Sequence, residues 1–175
     1  MKKILIILLW ITTLITGWCT KKIEKPIIFE NYTITLTTKY NYKEINANIV
    51  PEVSTIKQYI QDTQTWFASS IIIAKTEIQE EINIADLAEK NSESMTKKIP
   101  GIKKPSTDSF QIKCKEKNID WVIQKIAIKD WKETQYINQM FFSEDNNLYW
   151  ISTMTTNKTE TRNLSKSIKS IVCLE

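Results

Sequence analysis

Between Phe110 and Met154 the apolar residues recur with a period of two, and short polar stretches break the pattern. Phe110, Ile112 and Cys114 alternate with polar neighbours, and residues 119–128 form a longer apolar run. Tyr136 to Phe142 and Leu148 to Met154 flank Ser143-Glu144-Asp145-Asn146-Asn147. Alternation of this kind places one side of each segment in a core and the other in a different environment, which is strand behaviour. Successive strands joined by short polar turns pair antiparallel, so the second half of the chain predicts four strands, the last two a hairpin with a five-residue turn.

Two helices frame these strands. Asn83 is a good N-cap, Asp86 stands three residues on in the capping-box position, and Ile82 and Leu87 are placed to form a hydrophobic staple. Ile84, Leu87, Ala88, Met95 and Ile99 then line one face, and Pro100-Gly101 ends the helix. At the C-terminus Leu164, Ile168, Ile171 and Val172 have helical spacing opposite a face rich in serine and lysine, with Cys173 at the end.

Earlier in the chain, Ile27-Ile28-Phe29 and Tyr32-Thr33-Ile34-Thr35-Leu36 read as two strands around Glu30-Asn31. Residues 66–74 read as a buried strand. Residues 38–54 are polar and broken by Pro51; Ile56, Tyr59 and Ile60 fit a short helix or a strand almost equally. The expectation is an α+β fold, an antiparallel sheet with helices packed on it.

Composition limits the chemistry. The 175 residues include no histidine, which excludes His-based acid–base catalysis, Ser–His and Cys–His nucleophile pairs and His-ligated metals. The two glycines, Gly17 and Gly101, cannot build a Gly-rich phosphate loop. All 24 basic residues but Arg162 are lysine, so bidentate grip on phosphate is nearly absent. The formal charge of +4 falls to +2 without Lys2 and Lys3, too little for a nucleic-acid footprint.

The first residues read as an export signal. Met1-Lys2-Lys3 is a positive start, and Ile4 to Ile15 is an apolar run short for a spanning helix. Cys19 directly after Gly17-Trp18 resembles the bacterial lipobox, whose cysteine becomes lipidated and N-terminal, although that pattern wants a small residue where Trp18 stands. Three outcomes are open: a lipid anchor on Cys19, a plain cleaved signal, or an uncleaved anchor. On the first, residues 1–18 are a signal peptide, 19–26 a tether and 27–175 one domain, exported to the bacterial cell envelope. In an oxidising compartment Cys114 and Cys173 read as a disulfide; the alternative is two buried thiols.

The order of elements resembles the PsbP-like (Mog-type) α/β/α sandwich, and within it the DcrB-type envelope lipoproteins. Phe29-Glu30-Asn31-Tyr32-Thr33-Ile34-Thr35-Leu36 resembles that fold's opening turn and strand, and Ile82 to Lys90 its first helix. Asn147-Leu148-Tyr149-Trp150-Ile151 followed by Leu164 to Val172 resembles its last strand and closing helix. The family's Pro-containing turn after the second strand is missing, since Thr37-Thr38-Lys39 stands there. The resemblance implies a non-enzymatic accessory or protein-interaction domain. Its members' partners differ too widely to name one here.

Other motifs reduce to structure. Ser54-Thr55-Ile56-Lys57 matches the S-x-x-K of penicillin-binding proteins without the other elements those enzymes need, and reads as a capped turn. Glu80, Glu81 and Asp86 read as charge at a helix N-terminus, and Asp145-Asn146-Asn147 as a turn. No cofactor, metal site or catalytic residue is expected. The expected partners are the membrane, through Cys19, and a protein, with no nucleic acid. The candidate binding surface is the 38–65 stretch with Tyr40, Tyr42 and Tyr59. The alternative function is a small-ligand carrier with a tryptophan-lined apolar cavity between sheet and helix.

Overall fold

The computed structural model describes residues 22–45, 54–63, 68–103, 105–129 and 132–174. Among the described residues ten strands and two helices follow one another: β1 (Ile23–Phe29), β2 (Tyr32–Thr38), β3 (Tyr42–Ile45), β4 (Ser54–Gln61), β5 (Ser70–Glu77), α1 (Ile84–Lys98), β6 (Ser106–Cys114), β7 (Lys117–Lys129), β8 (Thr134–Glu144), β9 (Asn147–Thr155), α2 (Lys158–Lys169) and β10 (Val172–Cys173). The fold is α+β. A seven-stranded sheet runs β3-β4-β5-β9-β8-β7-β6 and a three-stranded sheet β1-β2-β10, with every pairing antiparallel.

Alternation along β7 to β9 divides the large sheet into two buried faces. Trp121, Ile123, Met140, Phe142, Tyr149 and Ile151 point into the main core, where β1, β2 and α2 close over them with Ile27, Phe29, Ile34, Leu36, Leu164 and Ile168. Val122 and Phe141 point the other way, under Ile84 and Ala88 of α1. Helices therefore cover opposite faces of the large sheet. Tyr149 and Trp150, adjacent in sequence, land on these two sides.

Ring stacking fixes the centre. Trp121 lies 3.7 Å from Phe142 between centroids, Phe142 lies 4.5 Å from Tyr149, and the Tyr32 ring stands edge-on to Phe142 at 5.0 Å. Each buried aromatic of this size contributes on the order of 2–3 kcal/mol from area alone, and such pairs add about 1 kcal/mol more.

Three hairpins turn at one end of the molecule, each through two residues: Glu30-Asn31, Lys115-Glu116 and Asp145-Asn146. The expected five-residue turn shrinks because β8 and β9 pair as far as Glu144 and Asn147. Asp145 and Asn146 both adopt positive φ, 48° and 61°, as the tight turn demands. With so few glycines the chain also bends Glu30 (φ 48°) and Lys115 (φ 55°) into the left-handed region. That conformation costs roughly 1–2 kcal/mol at an ordinary residue.

Three further expectations need correction. Residues 23–26 are no tether: they form the first half of β1, where Pro26 pairs with Thr35 on a strand bonded on one side only among the described residues. Val172 and Cys173 do not continue the last helix. It ends at Lys169, and they pair with Thr33 and Tyr32 as β10. Ile56, Tyr59 and Ile60 belong to β4, so the S-x-x-K residues sit in a strand rather than a capped turn.

Helix ends are capped as their sequences direct. The Asn83 side chain accepts from the amides of Ala85 and Asp86, and Lys97 and Lys98 stand in the last turn of α1. Gly101 follows at φ 77°, with its Cα against the Lys129 carbonyl, and donor and acceptor of the two residues meet at 3.2 Å. A β-carbon there would collide with backbone, so glycine sets how closely α1 returns to β7.

Candidate functional site

The residues singled out from sequence separate into two polar constellations at opposite ends of β2. The first lies beside α2. Asn157 caps that helix by accepting from the amides of Thr159 (2.9 Å) and Glu160 (3.0 Å), and its own amide donates to the Tyr40 hydroxyl at 3.1 Å. Glu160, only 1% exposed, accepts from the Thr38 hydroxyl, the Tyr42 hydroxyl (3.3 Å) and the Asn163 amide (3.2 Å). Burial, and then the Glu160 carboxylate, push the Tyr42 phenol well above its ordinary range.

Tyr40 and Tyr42 are thus brought together, but as structural partners of a helix N-terminus, half-buried rather than free. Tyr59 belongs to the core cluster against which Tyr42 packs. It is 3% exposed in the main core, its phenol raised to about 12 by burial and the neighbouring Glu44. The candidate surface of Tyr40, Tyr42 and Tyr59 is therefore not one surface. The capping pair Asn157 and Glu160 repeats the spacing of Asn83 and Asp86, the sequence signal that marks this helix start.

The second constellation sits at the hairpin end. Tyr32 donates to Glu144, and Tyr149 donates to Glu30, which also pairs with Lys75. Burial and the facing carboxylates raise both phenols far above their ordinary range. Burial pulls Glu30 upward, but the bonds from Lys75 and Tyr149 outweigh it and hold its carboxyl below the usual range. Alternation in the strands brings these groups together: Tyr32 and Tyr149 end core-facing rows, and Glu30 and Glu144 bound the turns beside them. A cleft of about 470 Å³ opens here, lined by Tyr32, Glu144, Lys117 and the two cysteines. Cys114 and Cys173 lie at disulfide distance, with Cα atoms 5.5 Å apart.

Neither constellation sets a nucleophile beside a base. Among the described residues no three of Cys, Asp and Glu gather to hold a metal ion. Glu80 and Glu81 are exposed ahead of α1. Cys19 and the apolar run before it lie outside the described residues, and no described helix is long and apolar enough to cross a membrane.

Two further clefts flank α1. One of about 690 Å³ is walled by Ala85, Glu89, Ser92, Thr96 and Pro105, with no tryptophan among the described residues that line it. The other, about 870 Å³, runs past Asn83, Gln111 and Asp120; Trp121 borders it but is fully buried. Trp150 is half-buried beside α1.

No family model matches the chain, and no curated protein matches its sequence. Solved structures do share its architecture. A protein of unknown function from Pseudomonas aeruginosa, PA94, superposes with a TM-score of 0.50 at 14% identity, over 83% of this chain and 91% of that one. At this identity the likeness is one of fold alone.

Proposed function

We propose that the chain is an exported, lipid-anchored envelope domain of the PsbP/DcrB type, working as a non-catalytic accessory or protein-interaction module. The observation that carries this reading is the closed interior. Trp121 is fully buried and stacked on Phe142, and the core hydroxyls of Tyr32 and Tyr149 end on the chain's own carboxylates. A carrier needs apolar walls left bare for its cargo, whereas these aromatics are consumed by one another. The antiparallel sheet with helices on both faces agrees with the resemblance, and the cysteine pair suits an oxidising compartment.

Native mass spectrometry of the full chain purified from membranes tests the interior: the mass of protein plus acyl chains alone is expected. A co-purifying small molecule, lost when the groove of Ser92 and Thr96 is filled by Ser92→Phe, would instead establish the carrier. Mass spectrometry of the mature N-terminus tests the address. Acylated Cys19 is expected; a mature chain starting at an unmodified residue would end the anchoring proposal.

A further inference from the structure

Among the described residues the large apolar side chains left exposed are Ile23 (40%), Ile28 (53%), Val172 (51%) and Leu174 (37%). All belong to the three-stranded sheet or its immediate continuation. Ile28 pairs with Thr33, and Thr33 pairs with Val172, so Ile28 and Val172 flank one row on the face turned away from the core. Leu174 follows two residues later and donates its amide to Asn31, which extends the same edge. Single exposed apolar residues are ordinary, but their confinement to one small sheet is not.

That sheet begins close to Cys19. Four Cα steps separate Cys19 from Ile23, a reach of at most about 15 Å. Alongside the sheet, Arg162 and Lys166 stand on the side of α2 opposite buried Leu164 and Ile168. The outward layer thus combines an apolar row, the single acid Glu24, flanking cations and an attachment point, a composition suited to the headgroup region of a bilayer.

We infer that the outer face of β1-β2-β10 rests on the lipid bilayer, its occupant being the membrane that holds Cys19. The inference depends on the anchoring proposed above and adds an orientation to it: α1 faces away from the membrane and the three-stranded sheet lies on it. A lipobox-type cysteine carries two or three acyl chains, which anchor stably by themselves, so the contact face adds orientation rather than strength of attachment.

The test uses the full, processed chain in vesicles of phosphatidylethanolamine and phosphatidylglycerol, three to one. With Cys19 acylated and Cys114 bonded to Cys173, an introduced cysteine is the one free thiol. Ile28→Cys, Val172→Cys and, on the exposed side of α1, Lys90→Cys each receive an environment-sensitive fluorophore. On vesicles, labels at positions 28 and 172 are expected to shift to the blue, brighten severalfold and be quenched by headgroup-labelled lipid, while the label at 90 keeps its aqueous emission. If acylated protein floats with vesicles and position 28 stays aqueous, the orientation is wrong and the anchor stands. If Cys19 is unmodified and the chain does not float, both fall. Blue-shifted emission in detergent-free buffer before vesicles are added overturns the bilayer as occupant. Light scattering then assigns the cover to a second copy if the mass doubles, or to the chain's own acyl groups if it does not.

Discussion

Glu160 is a carboxylate in the core with hydroxyl and amide donors around it and, among the described residues, no cationic partner. Removing it would strand three donors, each costing about 1–3 kcal/mol when left unpaired and buried. Glu160→Leu is therefore expected to lower unfolding free energy by about 3 kcal/mol or more in urea titration, and Glu160→Gln, which keeps one acceptor, by less. In the leucine variant the Tyr42 phenol should also titrate closer to its ordinary range, because the carboxylate that helps raise it is gone.

The same scale sets the pH response. Tyr32, Tyr42, Tyr59 and Tyr149 are all raised in the folded state. A raised group stabilises the fold fully below its unfolded pKa, about 10 for tyrosine. That stabilisation is lost as pH climbs from there toward the folded value, so phenolate absorbance from these four should emerge together with unfolding. Glu30 has the opposite sign: its lowered carboxyl stabilises above the ordinary carboxylate pKa, and the contribution disappears as pH falls through the folded one. Lys75→Met should thus lose stability at neutral pH and converge with the parent in acid; parallel curves would show that the pair contributes nothing.

At the scale of elements, the second edge of β2 shows how a short strand is completed. β10 reaches only Tyr32 and Thr33. Beyond it Ser170 accepts from the Thr35 amide and Ser167 from the Thr37 amide, both at 2.8 Å, while each hydroxyl donates its own proton back along the helix, to the Ser167 carbonyl at 2.7 Å and the Asn163 carbonyl at 2.9 Å. Ser167 on α2 and Ser170 at its C-cap substitute for a missing strand as acceptors, covering amides that the edge would otherwise present bare. Ser167→Ala, at a site 2% exposed, should cost about 1–2 kcal/mol. Hydrogen exchange should accelerate at Thr37 while the amides of Ile34 and Leu36 stay protected; uniform acceleration along β2 would mean global destabilisation instead.

These serines explain what was legible and what was not. Periodicity marks α2 and β6 to β9, and periodicity with a capping Asn marks α1, because each element has a face to bury. The serine-rich face of α2 was visible, but its job depends on a strand more than a hundred residues away, which spacing alone cannot reveal. β4 was ambiguous because its pairing with β5 shifts register between Thr55 and Lys57, and the extra residue breaks the period of two. β10 was absorbed into the helix because Ile171 and Val172 extend a helical spacing by chance of composition. Tyr40 and Tyr42 looked like a surface because the helix cap that engages them lies far along the chain.

For the whole molecule, the two sheets share apolar contacts, α2 and the Cys114–Cys173 pair, which sets β6 on one edge of the large sheet at disulfide distance from β10 at the end of the small one. Apart from a link between these cysteines, the covalent route between those two strands runs through 59 residues of chain. Closing a loop of that length removes freedom from the unfolded chain worth about 4 kcal/mol in the entropy treatment. β10 has only two residues and two pairing positions, so the link also holds in place an element too short to persist alone. Reduction should consequently act twice. The urea midpoint should fall by the equivalent of about 2–4 kcal/mol. Before global unfolding, hydrogen exchange should open at Val172 and Cys173 and at the Leu174 amide bonded to Asn31, while β7 to β9, locked by Trp121 and Phe142, stay closed. Because Val172 and Leu174 share the outward row with Ile28, reduced protein should also lose the lipid contact at position 172 before the one at position 28. Simultaneous loss at both would show that the row does not depend on β10 being paired, and equal stability of oxidised and reduced protein would show that the cysteines lie close without being joined.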